Sequence, residues 1–291
     1  MREHFSAIKL YHSIYNKHIL FLFLFTIFFS VRSYPQNYKI TERTRFYTEE
    51  LPGDSVVLKV SNEFVIPLTL NISFTLLNLE STTPLPLTTV IPGKALGKVV
   101  AAFKRTDRNT AYKCSYNWRI VYGDFSQTPD LNFAYKYPFV KGVNYKISQG
   151  PNGNYSHKNI IAYDFAMPER TPVCAARDGI VALVRTDSDK GGPDPKYIDD
   201  ANFITVYHTD GTLANYYHLS KNGAAVKEGQ WIKQGQIIGY SGNTGFSNGP
   251  HLHFEITRPD ISSDTKQWIS FNWDSGISNT LSMNDTESST K

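Results

Sequence analysis

Short runs in which apolar and polar residues alternate recur along this chain, each closed by turn-forming residues. Positions 56–60 (Val-Val-Leu-Lys-Val), 68–74 (Leu-Thr-Leu-Asn-Ile-Ser-Phe) and 116–122 (Tyr-Asn-Trp-Arg-Ile-Val-Tyr) keep the period of two that a half-buried β-strand requires. Pro, Gly, Asn and Asp separate them, and this spacing predicts an immunoglobulin-like antiparallel β-sandwich over residues 34–137. Residues 38–137 contain no histidine and only scattered acidic residues, so that block reads as a structural or binding module.

After residues 136–149 the texture changes, and a second domain is expected over 138–259. Residues 171–184 read as two strands joined at Asp178-Gly179. Residues 202–208 form a strand, 209–212 a tight turn, and 213–218 its partner. The polar stretch 187–200 reads as a surface loop, and Gly229, Gly235, Gly239, Gly242, Gly245 and Gly249 leave only short strands beyond it. No helical periodicity appears in this half, so the chain is expected to be all-β.

The N-terminus has a different pattern. Arg2, Lys9 and Lys17 precede an apolar run at 19–29, and Val31 and Ser33 occupy the small-residue positions of a cleavage site before Tyr34. The run is short for a bilayer span and has the length of a signal-peptide core, so 1–33 reads as a signal peptide. An uncleaved anchor is the alternative, and the only route to a membrane; both place the protein in the envelope or outside the cell. At the other end, 260–291 reads as an extension with a largely disordered tail, because 275–291 is rich in Ser, Thr, Asn and Asp.

Composition narrows the function classes. With 41% hydrophobic and 19% charged residues the chain is globular, and a net charge of +4 without any Lys/Arg block excludes a nucleic-acid partner. The two cysteines, Cys114 and Cys174, fall in different predicted domains and read as unlinked buried thiols.

The candidate chemistry lies in Gly249-Pro250-His251-Leu252-His253-Phe254-Glu255-Ile256. On a strand, His251 and His253 share one face while Leu252 and Phe254 take the other. Two imidazoles so placed fit either a metal or a plain polar strand face. Of eight histidines, His4, His12 and His18 belong to the export segment, leaving His157, His208, His218, His251 and His253. His208 precedes a turn and reads as structural.

His157, Asp164-Phe165, Ala175-Ala176-Arg177-Asp178-Gly179, Tyr216-Tyr217-His218-Leu219, Gly242-Asn243-Thr244-Gly245 and Gly249-Pro250-His251-Leu252-His253-Phe254 occur in that order. Together they resemble the lysostaphin-type (LytM-like) zinc metallopeptidase domain, whose members are mostly peptidoglycan endopeptidases. The resemblance runs from about Ser148 to Ile256. It implies a small antiparallel β-sandwich of the duplicated hybrid motif type, one Zn²⁺ per chain, and metal ligands at His157, Asp164 and His253. It places His218 and His251 beside the reacting water as catalytic residues. The commonest family spacing is His-x-Gly-x-Asp; here Ile160 stands at that histidine's place and His157 lies further upstream. Two histidines and an aspartate, with a fourth position open, are the set a catalytic zinc requires. Tyr217 and Asn243 are expected along the substrate groove, though Tyr217 also fits a packing role and Gly242–Gly245 a plain turn.

The implied function is an exported zinc metalloendopeptidase of the bacterial envelope, periplasmic or extracellular, acting on peptidoglycan cross-links or stems. Two other readings stay open: a catalytically inactive wall-binding or regulatory module of the same fold, and a zinc endopeptidase of non-wall extracellular proteins. A swinging-arm carrier of related topology would need a modifiable lysine at a hairpin tip, and none is visible.

Overall fold

A computed structural model describes residues 3–8, 38–262 and 266–274. It is all-β apart from one turn of α-helix, Ile40–Arg43, and a short 3₁₀ helix, Pro195–Asp200. Among the described residues no helix is long and apolar enough to cross a membrane. The apolar run 19–29 and the tail 275–291 lie outside the described residues.

The described chain divides into two compact units, one running to Phe125 and taking in the short stretch from Asp260, the other made of Ser126–Pro259 and the segment from Lys266. In the first, Thr44–Leu51, Ser55–Asn62, Lys98–Arg105 and Leu79–Ser81 form one four-stranded sheet. Glu3–Ile8, Lys113–Tyr122, Leu68–Leu77 and Leu87–Ile91 form the other. Every second residue of Lys113–Tyr122 is buried, including Cys114, Tyr116, Trp118 and Ile120. Rings from the two sheets meet between them: Phe46 stacks on Trp118 at 5.2 Å and Phe74 meets Phe103 edge-on at 5.2 Å. Glu3–Ile8, inside the segment read as a signal peptide, pairs along the edge of Lys113–Tyr122.

The sequence places the join between domains at 137/138, twelve residues later than the break observed at Phe125. The difference lies in Tyr135, Tyr137 and Phe139, which are buried in the second unit's core with Phe165, Val173 and Phe254. Ala134–Tyr135 also pairs with Asn272–Trp273, and Lys136 N donates to Ala176 O at 3.0 Å. An aromatic cluster that read as a linker is therefore core.

The second unit is built on a mixed-length sheet with the order Ile147–Gln149, Ala162–Phe165, Leu252–Pro259, Leu213–Tyr217, Phe203–Tyr207, Gly179–Arg185, Trp231–Ile232. A three-stranded sheet, Pro172–Cys174, Ile237–Ser241 and Leu219–Ala224, belongs to the same unit. Leu252, Phe254 and Ile256 of the central strand are fully buried with Tyr216, Ile204 and Val206. Cys114 and Cys174 are free, buried thiols.

Two sequence expectations are corrected by the strand pairing. Residues 171–184 are not a hairpin: Pro172–Cys174 pairs with Ile237–Ser241, while Gly179–Arg185 joins the large sheet. Asp178 does not close a turn between them but accepts from Gln234 N at 2.6 Å and Lys233 Nζ at 2.8 Å. The stretch 187–200 is not a plain loop, since Gly191–Gly192 pairs with Gly245–Phe246 and Pro195–Asp200 coils behind it. Residues 266–274, the part of the extension that precedes the tail expected to be disordered, are ordered. Lys266–Trp268 pairs with Leu252–Pro259, and Ile269, Phe271 and Trp273 pack against the core. Trp268, Ile269, Phe271 and Trp273 give this segment four aromatic or aliphatic residues in six positions.

His208 sits at the far side of this unit's histidine inventory. It is buried, and Nδ1–H donates to Asp178 O at 2.8 Å, while Nε2 has no hydrogen-bond partner among the described residues. Burial, reinforced by the Arg177 charge, lowers its pKa to about 4, although the Asp178 bond opposes the shift. The unfolded chain therefore binds a proton at His208 near pH 6.5 that the folded chain refuses until about pH 4. This contribution, up to ~3 kcal/mol, is complete above pH 6.5 and is lost as pH falls towards 4. In His208→Gln, denaturant midpoints between pH 4 and 6.5 are expected to fall less steeply with acid than in the wild type. An unchanged slope would remove His208 as the cause.

Candidate metal centre

Cross-strand register assembles the site. Gln149, Asp164, His253 and Tyr217 lie opposite one another on four adjacent strands, and cross-strand partners share a face. Because the strand alternates, His253 and Glu255 point to one side while Leu252 and Phe254 enter the core, as the sequence pattern requires.

Three side chains converge. His157 Nε2 lies 3.2 Å from Asp164 Oδ1, His253 Nδ1 lies 2.9 Å from the same oxygen, and the two nitrogens are 3.2 Å apart. All three residues are buried. A tetrahedral zinc with ligands near 2.0–2.1 Å holds its donors ~3.3 Å apart, so this triangle is one face of such a site. The donor chemistry fits equally: two imidazole nitrogens and one carboxylate oxygen.

Each donor is aimed by a neighbour. His157 Nδ1 lies 2.9 Å from Gly150 O, and a carbonyl only accepts, so Nδ1 carries the proton and Nε2 presents its lone pair. Gln149 Nε2 donates to Asp164 Oδ2 at 3.0 Å, which leaves Oδ1 for the histidines. Gln149 Oε1 in turn accepts from the backbone N–H groups of Tyr155 and Ser156, tying the His157 loop to the sheet. The longer gap between His157 and Asp164 is absorbed by a turn: Ile160 N donates to His157 O at 2.9 Å, with Asn159 at φ 60°.

Two further histidines face this triangle. His251 Nε2 stands 3.7 Å from Asp164 Oδ1, and its Nδ1–H donates to Gly249 O at 2.8 Å. His218 Nδ1–H donates to Thr244 O at 2.7 Å, and its ring centroid is 4.5 Å from that of His251. His218 has φ 62°, a left-handed conformation rare for a residue with Cβ. This single residue passes the chain from Leu213–Tyr217 of the large sheet into Leu219–Ala224 of the small one. Gly242 bridges to His251, and a Cβ there would meet Ser220 N at 2.5 Å, so the close approach requires glycine.

The electrostatics follow from burial and pairing. Burial would raise the Asp164 carboxyl, but its close contacts with His157 and His253, with the His253 and His251 charges beside it, hold it well below the usual range. Burial lowers His218 strongly, with the His251 and His253 charges adding to it, and burial also lowers His251 against the pull of Asp164. His253 goes the other way: burial would lower it, but its contacts with Asp164 and Glu255 lift it to about 9. Glu255, fully buried, would be raised by desolvation, yet Lys266 and His253 bring it down to about 2.

Not every expected residue reaches the groove. The groove, about 460 Å³, is lined by Gln149, Tyr155, His218, Phe246, His251 and His253 among others. Tyr217 is instead buried against Phe203 and His253, with ring centroids 5.7 Å away in each case. Asn243 acts from behind the groove wall, its Oδ1 accepting from Ser247 Oγ at 2.7 Å. Sequence reasoning missed Gln149, Tyr155, Phe246 and Glu255. Of these only Glu255 carried a signal, since it shares the strand face of His251 and His253.

Residues 158–266 match Peptidase family M23. The chain is 32% identical over 162 residues to an uncharacterized metalloprotease of Buchnera aphidicola, covering 50% of this chain and 39% of that protein. It is 42% identical over 93 residues to the peptidoglycan DD-endopeptidase ShyA of Vibrio cholerae, covering 32% of this chain and 19% of that one. The chain thus spans less than half the length of these relatives. The solved catalytic domain of lysostaphin from Staphylococcus simulans is 31% identical, with 47% of this chain and 88% of that one covered and a TM-score of 0.30. The matched residues hold Asp164, His218, His251 and His253, with His157 directly before them, and the family's metallopeptidases depend on zinc. Residues 158–266 thus match Peptidase family M23, in a stretch similar to metalloproteases and peptidoglycan endopeptidases.

Proposed function

We propose that this chain is an exported zinc metalloendopeptidase that hydrolyses peptide bonds of peptidoglycan cross-links or stems, with His157, Asp164 and His253 as metal ligands. One observation carries the reading: three buried donors 2.9–3.2 Å apart, faced by two more histidines whose Nδ1–H groups are already committed. His157, Asp164 and His253 would hold the zinc ion, which would supply Lewis-acid chemistry for water and the scissile carbonyl. His218 and His251 each give Nδ1–H to a backbone carbonyl, so in the neutral ring Nε2 is the nitrogen that carries the lone pair. One of them accepts the proton of the attacking water, and the other steadies the charge that develops on the carbonyl oxygen. The groove beside the triangle is lined by Ser148, Gln149 and Tyr155 and by Phe246–Pro250, with Tyr155 Oη donating to Asn248 Oδ1 at 3.1 Å and its ring stacked on Phe246.

Peptidoglycan as substrate is supported by the relatives, which include endopeptidases named for peptidoglycan and for glycyl-glycine bonds. Export is supported by the basic residues and apolar run of the first 33 positions. Incubating insoluble peptidoglycan with the purified chain is expected to release soluble fragments and one new amino group per bond cut. Chelation should stop the release, and added zinc should restore it. Release without new amino groups, or indifference to the chelator, would contradict the proposal.

A further inference from the structure

Behind the histidine that shares both metal-side contacts lies a fully buried carboxylate. Glu255 sits two residues beyond His253 on the same strand face, and its Oε2 stands 3.6 Å from His253 Nε2, the ring nitrogen turned away from Asp164. A carboxylate at zero exposure has to be compensated. The compensation comes from a segment with no part in the groove. Lys266–Trp268 pairs antiparallel with the end of the His253 strand, setting Trp268 opposite Thr257 and Lys266 opposite Pro259. Lys266 Nζ pairs with Glu255 Oε1, and Trp268 Nε1 donates to Glu255 Oε2 at 2.6 Å. From the adjoining strand, Asn215 Nδ2 reaches Glu255 Oε1 at 3.4 Å and Thr257 Oγ1 at 3.0 Å. Asn215 is itself fixed by Thr205 Oγ1 at 2.8 Å. The carboxylate is thereby locked in position from both sides.

We infer that Glu255, clamped by Lys266 and Trp268 of the following strand, is a positioning residue for the metal centre: it orients the His253 ring so that Nδ1 faces the ion. The inference rests on the metal reading above. It also gives a task to the first part of the C-terminal extension, Lys266–Trp268. A ligating imidazole is fixed, and its basicity raised, by an acceptor facing its second nitrogen, and loss of that acceptor typically weakens metal binding 10- to 100-fold.

The test is zinc affinity of the full chain, by competition with a chromophoric chelator, in wild type, Glu255→Gln, Lys266→Met and Trp268→Phe. Trp268→Phe keeps the packing and removes only the indole N–H, so it reports even if the other two fold poorly. Glu255→Gln is expected to weaken zinc ~10- to 100-fold, with Lys266→Met and Trp268→Phe shifted in the same direction. The cobalt-substituted variants should show altered visible absorption bands, a change that loss of stability alone would not produce. Wild-type affinity and an unchanged cobalt spectrum in Glu255→Gln and Trp268→Phe would overturn the inference. Failure of the wild type itself to bind zinc would instead overturn the metal reading beneath it.

Discussion

His253→Ala is expected to lower zinc affinity ~10²- to 10³-fold and to abolish hydrolysis under conditions where the wild type is saturated. Structural zinc sites gain ~10–16 kcal/mol from about four ligands, so one ligand is worth ~3–4 kcal/mol. His253 is central to the triangle, with Nδ1 2.9 Å from Asp164 Oδ1 and 3.2 Å from His157 Nε2. Removing it also leaves Asp164 with one fewer partner in a buried site, so the metal-free variant should be less stable than the metal-free wild type. Equilibrium dialysis against buffered zinc reads the first effect and peptide release the second. A variant that kept wild-type affinity would exclude His253 as a ligand.

His218→Ala and His251→Ala are expected to behave differently. Both should keep zinc, because neither belongs to the triangle, while kcat falls ~10²- to 10⁴-fold, the usual worth of a positioned acid or base. KM should change little, since the loss falls on the transition state. The measurement is turnover beside metal content for each protein. A variant that lost zinc in parallel with activity would make that histidine a ligand. His218 also carries the strained backbone link between two sheets, so His218→Asn, whose side chain tolerates φ near 62°, is the control for folding.

Much of the site was legible in the sequence because strands make it so. Once His251 and His253 sit on a strand with Leu252 and Phe254, alternation fixes which pair enters the core. The same alternation carries Glu255 to the metal side. What hides it is that a Glu on a strand face ordinarily meets water, and its partners lie eleven and thirteen positions later, past a break in the pattern. The carbonyl oxygens of Gly150, Thr244 and Gly249, which set the histidine tautomers, leave no mark in side-chain chemistry. Gly242-Asn243-Thr244-Gly245 reads as a turn, yet one backbone group there holds His218 and another bridges His251. The start of the second unit was misplaced for a related reason. Tyr135, Tyr137 and Phe139 stand too close to prolines and glycines to read as core, and the partners that bury them, Phe165 and Phe271 to Trp273 among them, are distant in sequence.

The claim on which the rest depends is that three side chains, including a histidine seven residues before its aspartate, form one zinc site. Zinc per chain, measured on the purified protein beside His157→Ala, tests it most directly. The account predicts close to one zinc in the wild type and loss of it in His157→Ala. A wild type that remained metal-free after reconstitution, or a His157→Ala protein that retained its zinc at full affinity, would contradict it.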